Sequence, residues 1–341
     1  SHSSYGKYVT CPRSFKFHYI DKIRPTSTPS ALIFGSALDA GINSMLSKVG
    51  DPIEACDSHL EKLLQPDTEF MKSDFDAELF DEENKKKLQK LCERIAGRKL
   101  DLDVLIPYLL NERQGNMSEK QHRVLATCCM ETLKIKARLM LDAYNRTVVP
   151  LIKKVNSTQK FISWKDEKNN EFTGVLDIEV ELDGHGSLPA DNKTASRPYE
   201  ADAVEKSTQL AIYAKVTGKN KAAFFVMDKN IKKNRVKVCK VCGFDGSAGR
   251  HKTCANENSE GKRCGGEWEE TIQPEASIQV LVGDVPERVQ QLTQEALTDT
   301  AEAIKKEVFP RNLNACDNQF GRPCPYREYC WRGDKTGLRK F

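Results

Sequence analysis

The sequence predicts an α/β fold with two insertions, because segments of strand periodicity alternate with helical segments in the second half of the chain. The first such segment alternates apolar and acidic side chains, which is typical of a half-buried strand. A helical segment and then a continuous apolar run, typical of an inner strand, follow it. In chain order, the predicted elements are a strand at 172–182, a helix at 200–217, a strand at 222–227, a strand at 276–282 and a helix from Pro286 to Pro310.

The first half of the chain is mainly helical in pattern. Residues 34–48 predict a helix that is entered from a Gly-Ser turn, and Lys, Glu and Leu dominate residues 52–149. The last helix of this half is expected to begin at Ser118, where Ser-Glu-Lys-Gln forms a capping box, and to end before Pro150. This helical half is therefore expected to be an insertion into the α/β core.

Composition indicates an ordinary globular protein. Its 341 residues correspond to roughly two domains, or to one domain with large insertions. The 53 basic and 49 acidic side chains give a net charge of +4, which is too balanced for a disordered tail or a polycationic nucleic-acid packer. No apolar run approaches the ~20 residues of a membrane span, and the first residues lack the apolar core of a signal peptide. We therefore expect a cytoplasmic protein without membrane contact.

Twelve cysteines in a chain without an export signal predict metal or cluster ligation rather than disulfides. Cys56, Cys92, Cys128 and Cys129 fall in helical segments without partners at ligand spacing. These four are expected to be plain buried cysteines. The other eight form two groups.

One group of cysteines lies in a glycine-rich segment. Cys239, Cys242, Cys254 and Cys264 are separated by two, eleven and nine residues. Four thiolates joined by a loop that can turn tightly predict a tetrahedral zinc site. His251 lies close enough in sequence to substitute for one ligand, and loose reduced thiols are the alternative.

The other group of cysteines would join the two ends of the chain. Cys316, Cys324 and Cys330 supply three ligands near the C-terminus, and Cys11 is the candidate for the fourth. Four thiolates can hold an iron–sulfur cluster or zinc. The spacing does not choose between them.

The residues that could carry chemistry lie in the strand pattern. Asp191 and Lys193 are two residues apart and share one face of a strand, and strand pairing could bring Asp177 beside them. Carboxylates bind hard cations such as Mg²⁺ or Mn²⁺, and a nearby lysine can orient water and offset charge on phosphorus. Asp-x-Lys alone is common, and a surface salt bridge is its usual explanation. Pro189 predicts that the strand around Asp191 is short.

Two features add to this constellation. Gln209 and Tyr213 are four residues apart, so they share a helix face soon after Lys193. Asp39 lies in the predicted N-terminal helix, where it could offer another oxygen ligand to the same ion. Each of these could also be an ordinary exposed polar residue.

In their order along the chain, these motifs resemble the RecB-like branch of the PD-(D/E)xK nucleases, which includes Cas4-like proteins. Asp39 stands where that family usually has histidine, and the spacing between Cys316 and Cys324 is longer than usual. The similarity is carried by Cys11-Pro12 with Phe15, Gly35-x3-Asp39, Gly174-x2-Asp177, Asp191-x-Lys193, Gln209-x3-Tyr213 and the three C-terminal cysteines.

The resemblance implies a PD-(D/E)xK nuclease core, with a mixed central sheet flanked by helices, into which the helical and zinc-ribbon-like segments are inserted. It implies exonuclease cutting of DNA, usually at a single-stranded end, in recombination, repair or replication. The site residues it implies are Asp177, Asp191, Lys193, Gln209 and Tyr213 for catalysis, Asp39, Asp177 and Asp191 for Mg²⁺ or Mn²⁺, and Cys11, Cys316, Cys324 and Cys330 for a structural [4Fe–4S] cluster.

The zinc-ribbon-like insertion carries concentrated positive charge. Residues 229–263 hold ten basic and three acidic side chains, or +7, in a chain whose total is +4. Because such charge attracts phosphates, we expect the insertion to guide DNA, with a solubilising structural loop as the alternative. The candidate DNA-binding residues are Lys232, Lys233, Arg235, Lys237, Arg250 and Lys252.

These expectations divide the chain into core and insertions. The alternatives to a nuclease are a non-catalytic DNA-binding or assembly module, working with a helicase, an annealing protein or an integrase, and a zinc-ribbon transcription or replication factor. Virus-encoded members of the RecB-like branch are the most similar in character, and such a protein would act in the host cytoplasm. The expected parts are a first core part at 1–44, a helical insertion at 45–150, the core with the catalytic motifs at 151–228, the cysteine-rich insertion at 229–270, and a C-terminal strand, helix and cysteines at 271–341.

Overall fold

The computed structural model describes residues 1–111, 117–246, 252–257, 261–317 and 323–341. Within these ranges the α-helices are α1 His2–Thr10, α2 Pro12–Phe15, α3 Ser30–Ser47, α4 Pro52–Leu60, α5 Glu82–Ala96, α6 Leu102–Asn111, α7 Glu119–Thr147, α8 Ala203–Lys206, α9 Thr208–Thr217, α10 Glu287–Lys305 and α11 Arg327–Arg332. The strands are β1 Ile23–Pro25, β2 Thr28–Pro29, β3 Thr68–Glu69, β4 Ile152–Lys165, β5 Glu171–Leu182, β6 Gly186–Ala195, β7 Lys221–Asp228, β8 Lys232–Cys239, β9 Trp268–Glu275, β10 Ile278–Asp284 and β11 Leu338–Lys340.

A five-stranded mixed sheet in the order β10-β7-β6-β5-β4 forms the centre of the fold. Strands β6 and β7 are parallel, and the other neighbours are antiparallel. Along β7, Phe225 belongs to one apolar cluster and Phe224 to another, so both faces of the sheet are buried. Helices α3 and α7 pack in the first cluster, and α9 and α10 pack in the second. The predicted α/β class, with a mixed sheet flanked by helices, is confirmed.

The strand that carries Asp177 follows its sequence pattern. Leu176, Ile178 and Val180 of β5 are fully buried, at 0% exposure, whereas the acidic residues between them are half-buried. This alternation is what period-two burial produces in a strand.

Strand β6 is longer than Pro189 predicts. Pro189 pairs with Glu179 of β5, but the parallel ladder with β7 begins only at Ala190. Pro189 therefore removes no donor from the β6–β7 ladder, and the expectation of a short strand is wrong.

Two helix boundaries also differ from the prediction. Helix α3 begins at Ser30, after Pro29, so Gly35 lies inside the helix and does not open it. Pro29 is the N-cap residue and has an extended backbone, and a proline can stand there because its missing N–H is not needed at a helix start. At the other end of the chain, α10 stops at Lys305, before Pro310.

Two helix starts follow from side-chain caps. The predicted capping box is present before α7: Gln121 Oε1 accepts from Ser118 N at 2.9 Å, and Ser118 Oγ accepts from Gln121 N at 3.3 Å. The helix predicted at 200–217 is divided, because Ser207 Oγ accepts from Leu210 N at 3.2 Å and so begins α9 as a separate helix.

Three smaller ladders complete the described fold. Strand β1 pairs with β11, β2 pairs with β3, and β8 pairs with β9 in an antiparallel hairpin that bears the cysteine-rich segment. The four cysteines predicted in the core are buried, at 0–1% exposure, and Cys92 Sγ lies 3.5 Å from Cys128 Sγ. No helix within the described ranges combines the length and apolarity needed to cross a membrane.

Candidate active site

The centre of the candidate site is Asp191, which is fully buried in β6. Gln209 Nε2 of α9 donates to Asp191 Oδ1 at 2.6 Å, and Lys193 Nζ lies 2.6 Å from Asp191 Oδ2. In the register of the β6–β7 ladder, Asp191 is opposite Phe224 and Lys193 is opposite Val226, and both partners belong to the cluster under α9. Strand periodicity therefore aims the carboxylate and the ammonium at α9.

Gln209 connects the acid to the lysine. Lys193 Nζ donates to Gln209 Oε1 at 2.9 Å, and Gln209 Nε2 also donates to the hydroxyl of Tyr213 at 2.9 Å. That hydroxyl in turn donates to the carbonyl oxygen of Val175 in β5, at 2.7 Å. The amide thus has its oxygen on the ammonium and its nitrogen on the carboxylate. Helical spacing and strand spacing together fix the four side chains.

Two more carboxylates adjoin Asp191. Burial, a hydrogen bond with Asp191 and the charges of Asp191 and Asp39 raise the pKa of Asp177 to about 8. Burial and the charge of Asp191 raise the pKa of Asp39 on α3 to about 6, although Lys193 opposes this shift. Like charges held close together in a poorly hydrated space resist ionisation. The protein therefore brings three acids to one place with a single ammonium between them.

The chemistry of this donor set suits a hard divalent cation, and the three carboxylates lie farther apart than the cysteines of the insertion do. Asp191 Oδ2 is buried and accepts no well-directed hydrogen bond, although the ammonium of Lys193 is close to it. A cation held by Asp39, Asp177 and Asp191 would engage that oxygen and offset the burial and repulsion that raise the pKa of Asp39 and Asp177. Oxygen ligands suit Mg²⁺ or Mn²⁺.

The sequence profile of the PD-(D/E)XK nuclease superfamily matches residues 1–331. This chain belongs to the PD-(D/E)XK nuclease superfamily. Nucleases of this superfamily are usually metal-dependent hydrolases, which agrees with the buried carboxylates and the lysine of this site. A search of curated proteins gave no match.

Two residues that we did not predict also adjoin the nuclease site. His2 Nε2 lies 3.1 Å from the hydroxyl of Thr208, and burial and the charge of Lys193 lower the pKa of His2, with Asp191 opposing. On the other face of β6, the Tyr144 hydroxyl donates to Asn192 Oδ1 at 3.2 Å. Neither residue has a partner near it in sequence, so no spacing rule could have found them.

The four cysteines of the insertion meet in space. Their sulfur atoms all lie within 4.8 Å of one another, with Cys239 and Cys264 3.6 Å apart and Cys242 and Cys254 also 3.6 Å apart. A tetrahedron of Zn–S bonds of about 2.3 Å has edges of about 3.8 Å. The set is therefore able to hold one metal ion and fits the size of zinc. His251 lies outside the described residues.

Backbone turns present these sulfur atoms. Gly243 N donates to the carbonyl of Cys239 at 2.9 Å, and Gly265 N donates to that of Cys254, also at 2.9 Å. Gly243 and Gly265 have φ of +70° and +64°, which glycine adopts without strain. A Cβ on Gly266 would lie 2.6 Å from Cys239 Sγ, so only glycine fits there. A hydrogen bond from Phe244 N lowers the pKa of Cys242 to about 6, which favours its ligating thiolate form.

The terminal cysteines also adjoin one another, less tightly. Cys324 N donates to the carbonyl of Cys316 at 2.8 Å, and the charges of Cys11 and Cys316 contribute, after burial, to raising the pKa of Cys324. Near Cys11, the side chain of Asn312 donates to the carbonyl of Thr10 at 2.9 Å. Among the described residues, the insertion cysteines form a compact group of ligands and these four do not.

The basic residues of the insertion differ in their partners. Lys233 Nζ forms ion pairs with Asp76 at 2.8 Å and with Glu78 at 2.6 Å. Lys237 also has an interaction partner. Lys232, Arg235 and Lys252 are exposed, and Arg250 lies outside the described residues.

The hairpin also changes the charge count of the insertion. Strand β9 supplies Glu269, Glu270 and Glu275 opposite β8, and Glu267 precedes it. Over residues 229–275 these four acids reduce the net charge from +7 to +3. The +7 of the linear segment therefore overstates the charge that the folded insertion presents.

Proposed function

We propose that this nuclease is a divalent-metal-dependent DNA exonuclease that hydrolyses phosphodiester bonds from single-stranded ends. The observation that carries the proposal is the fully buried Asp191, with one oxygen held by Gln209 and the other beside Lys193. A buried carboxylate with such partners is costly unless a cation or a substrate uses it. Membership in the PD-(D/E)XK superfamily supports hydrolysis of nucleic acid as that use.

The residues divide the chemistry between them. Mg²⁺ or Mn²⁺ held by Asp39, Asp177 and Asp191 would polarise the phosphate and make a water molecule more acidic. Lys193 can orient the attacking water and offset the charge that develops on the phosphate oxygens. Gln209 is hydrogen-bonded to both the ammonium of Lys193 and the carboxylate of Asp191. It therefore fixes their relative position, and neither has to move during the reaction.

Digestion of labelled DNA tests this function. With Mg²⁺ or Mn²⁺, we expect linear single-stranded DNA to be degraded and closed circular single-stranded DNA to stay intact. Asp191→Asn and Lys193→Gln should each reduce the rate by about 100-fold or more, whereas Glu171→Gln, on the exposed start of β5, should not change it. If both variants cut at the parental rate, the assignment is wrong. DNA binding without any cutting would instead support the non-catalytic module that works with a helicase, an annealing protein or an integrase.

We also propose that the protein belongs to the RecB-like, Cas4-like branch, and that Cys11, Cys316, Cys324 and Cys330 hold a [4Fe–4S] cluster. The looser arrangement of these sulfur atoms supports a cluster, because several irons separate their ligands more than a single ion does. Asp39 replaces the histidine of that branch and keeps an oxygen ligand for the catalytic metal. Iron analysis of purified protein tests the assignment: about four irons per chain support it, and a second zinc without iron contradicts it.

For the insertion, we propose structural zinc and weak DNA contact. The sulfur separations support zinc on Cys239, Cys242, Cys254 and Cys264. Contact with DNA would rest on the exposed side chains of the hairpin, and it is expected to be modest because the glutamates of β9 oppose it. The residues available for that contact are Lys232, Arg235 and Lys252.

A further inference from the structure

A cavity lies where strands β6 and β7 end, and its lining includes none of the candidate catalytic or metal-binding residues. Its volume is about 300 Å³, and α3, α7, residues 71–76 and residues 229–233 surround it. Lysines and aromatic rings line the same cavity. The side chains that matter below are Phe34, Phe75, Lys136, Lys229 and Lys233.

Among the described residues, two of the lysines have no acidic side chain at ion-pair distance. Lys136 is only 8% exposed, and its ammonium donates to the carbonyl of Ser73 at 2.7 Å. An ammonium has three donors, so two remain for a ligand. Lys229 is half-buried, and none of the described residues accepts a hydrogen bond from its ammonium or lies at ion-pair distance from it. Burial lowers the pKa of both lysines, and nearby carboxylates, Asp76 and Asp74 for Lys136 and Asp74 for Lys229, oppose this shift only in part.

Two acids, Asp74 and Asp76, line the same cavity, and both have partners there. Lys233 already neutralises Asp76, at 2.8 Å, and also Glu78. Asp74 Oδ2 accepts from Ser30 Oγ at 2.5 Å and from Met71 N at 2.7 Å. The three lysines of the lining outnumber its two carboxylates by one, and this excess positive charge suits an anionic ligand.

The cavity is continuous with the elements of the catalytic site. Ser196, in its lining, follows Lys193 by three residues, or roughly 10 Å of extended chain. Phe34, on its other side, precedes Asp39 on α3 by little more than one helical turn. The cavity thus lies a short segment away from the carboxylates along both β6 and α3, and this is the reason to place a neighbouring part of the same strand in it.

We propose that this cavity binds a nucleotide of the DNA strand beside the one being cut, with its phosphate on Lys136 and Lys229 and its base against Phe34 and Phe75. Base stacking on aromatic rings and phosphate pairing with lysine are the usual means of holding a single strand. The volume is at the lower end of that of small-molecule sites, which suits one nucleotide. The proposal depends on the proposed nuclease function only for the position of this nucleotide relative to the bond that is cut. Binding of the strand to the cavity does not depend on that function.

Oligonucleotide binding without divalent metal tests the cavity separately from catalysis. Lys229→Gln should weaken binding of a labelled single strand several-fold and reduce the slope of log Kd against log salt by about 0.7, since one phosphate contact is lost. Lys90→Gln, an exposed lysine of α5 outside the cavity, is the matched control and should match the parent. An unchanged slope and Kd in Lys229→Gln would overturn the proposal.

Substrate length gives a second readout. Lys229→Gln should raise KM for an oligonucleotide and leave KM for bis(4-nitrophenyl) phosphate unchanged, because this small diester cannot reach the cavity. An equal effect on both substrates would mean that Lys229 acts on the metal site, and it would overturn the proposal.

A free mononucleotide is the other source of the same chemistry. The Kd of dAMP can be measured by its displacement of the oligonucleotide from the parent protein. If this Kd equals that of the oligonucleotide, the cavity is a mononucleotide site, and the strand assignment is wrong. If the parent cuts neither substrate, the proposed function fails, and metal-free binding alone decides on the cavity.

Discussion

At the residue scale, Gln209 is the side chain on which the geometry of the nuclease site depends. Its amide joins Asp191, Lys193 and Tyr213, at distances of 2.6–2.9 Å. We expect Gln209→Ala to reduce kcat by about 10- to 100-fold, because the carboxylate and the ammonium lose their common partner. Tyr213→Phe should cost less, since only the support of the amide is removed.

Steady-state kinetics on linear DNA measure this difference. Lys215→Gln, at an exposed position of α9, leaves all three contacts of Gln209 in place and serves as the control. A Tyr213→Phe variant that is as impaired as Gln209→Ala would show that the hydroxyl itself takes part in the reaction.

Asp177 should make the stability of the metal-free protein depend on pH. Its pKa is raised from 3.8 to about 8 in the folded chain, so the folded state keeps a proton that the unfolded state releases. The free energy of unfolding therefore falls as pH rises from about 4 through about 8. Asp177→Asn removes this loss, so without divalent metal its Tm should exceed that of the parent at about pH 8.5 and equal it near about pH 4.

Thermal unfolding with and without Mn²⁺ checks this expectation. Metal should raise the Tm of the parent most at high pH, where the acids repel each other, and should raise that of Asp177→Asn less. Glu171→Gln should behave as the parent does. A parental Tm that rises with pH over the same window, in dialysed protein, would contradict the raised pKa.

The sequence predicted these site residues because each pair has a fixed spacing on one element. Asp191 and Lys193 share a strand face, and Gln209 and Tyr213 share a helix face. The lysines of the cavity, Lys136 and Lys229, could not be found in that way, since α7 and the segment after β7 meet only in the folded chain. Spacing identifies neighbours on one element, and packing decides those between elements.

At the scale of elements, the β8–β9 hairpin depends on the metal site at its tip. A Cβ on Gly266 would come within 2.6 Å of Cys239 Sγ, which must point at the ion. We expect Gly266→Ala to lower the zinc content, with local loss of the hairpin and little change in the core sheet. Gly6→Ala, where nothing lies within 4 Å of the new Cβ, should keep its metal.

Metal analysis together with hydrogen exchange of residues 232–239 and 268–275 provides the readout. Full zinc occupancy in Gly266→Ala would show that the backbone can yield at this turn. The ligand spacing predicted which cysteines group, but not that β9 would place glutamates opposite the basic strand. The register of β9 against β8 depends on how the strands pair across the cysteine-rich segment, and the sequence pattern does not fix that pairing.

At the scale of the whole molecule, the two ends of the chain are joined. Strand β1 pairs with β11 from Ile23 opposite Lys340 to Pro25 opposite Leu338. The Tyr326 hydroxyl donates to the carbonyl of Ile23 at 3.1 Å and lies 2.9 Å from His18 Nδ1. The sequence predicted this closure from the cysteines alone. The β1–β11 ladder is too short to give a periodic pattern, and Tyr326 is a single residue, so neither could be predicted.

Cys11→Ser tests whether a cluster reinforces this closure. A crosslink between residue 11 and the last cysteines closes most of the chain, and loop-closure entropy assigns such links about 4 kcal/mol or more. We expect loss of iron, a lower Tm, and faster proteolysis at both ends, because the short β1–β11 ladder alone cannot hold them. Cys56→Ala, at a buried cysteine of α4, should keep its iron while losing some core stability. If Cys11→Ser kept full iron, a different ligand would have to be sought, and the ends would be held by packing alone.

Loosening the N-terminus should also lower nuclease activity, because α1 carries His2 towards Thr208, next to Gln209. In Cys11→Ser this loss would occur although no ligand of the catalytic metal has changed.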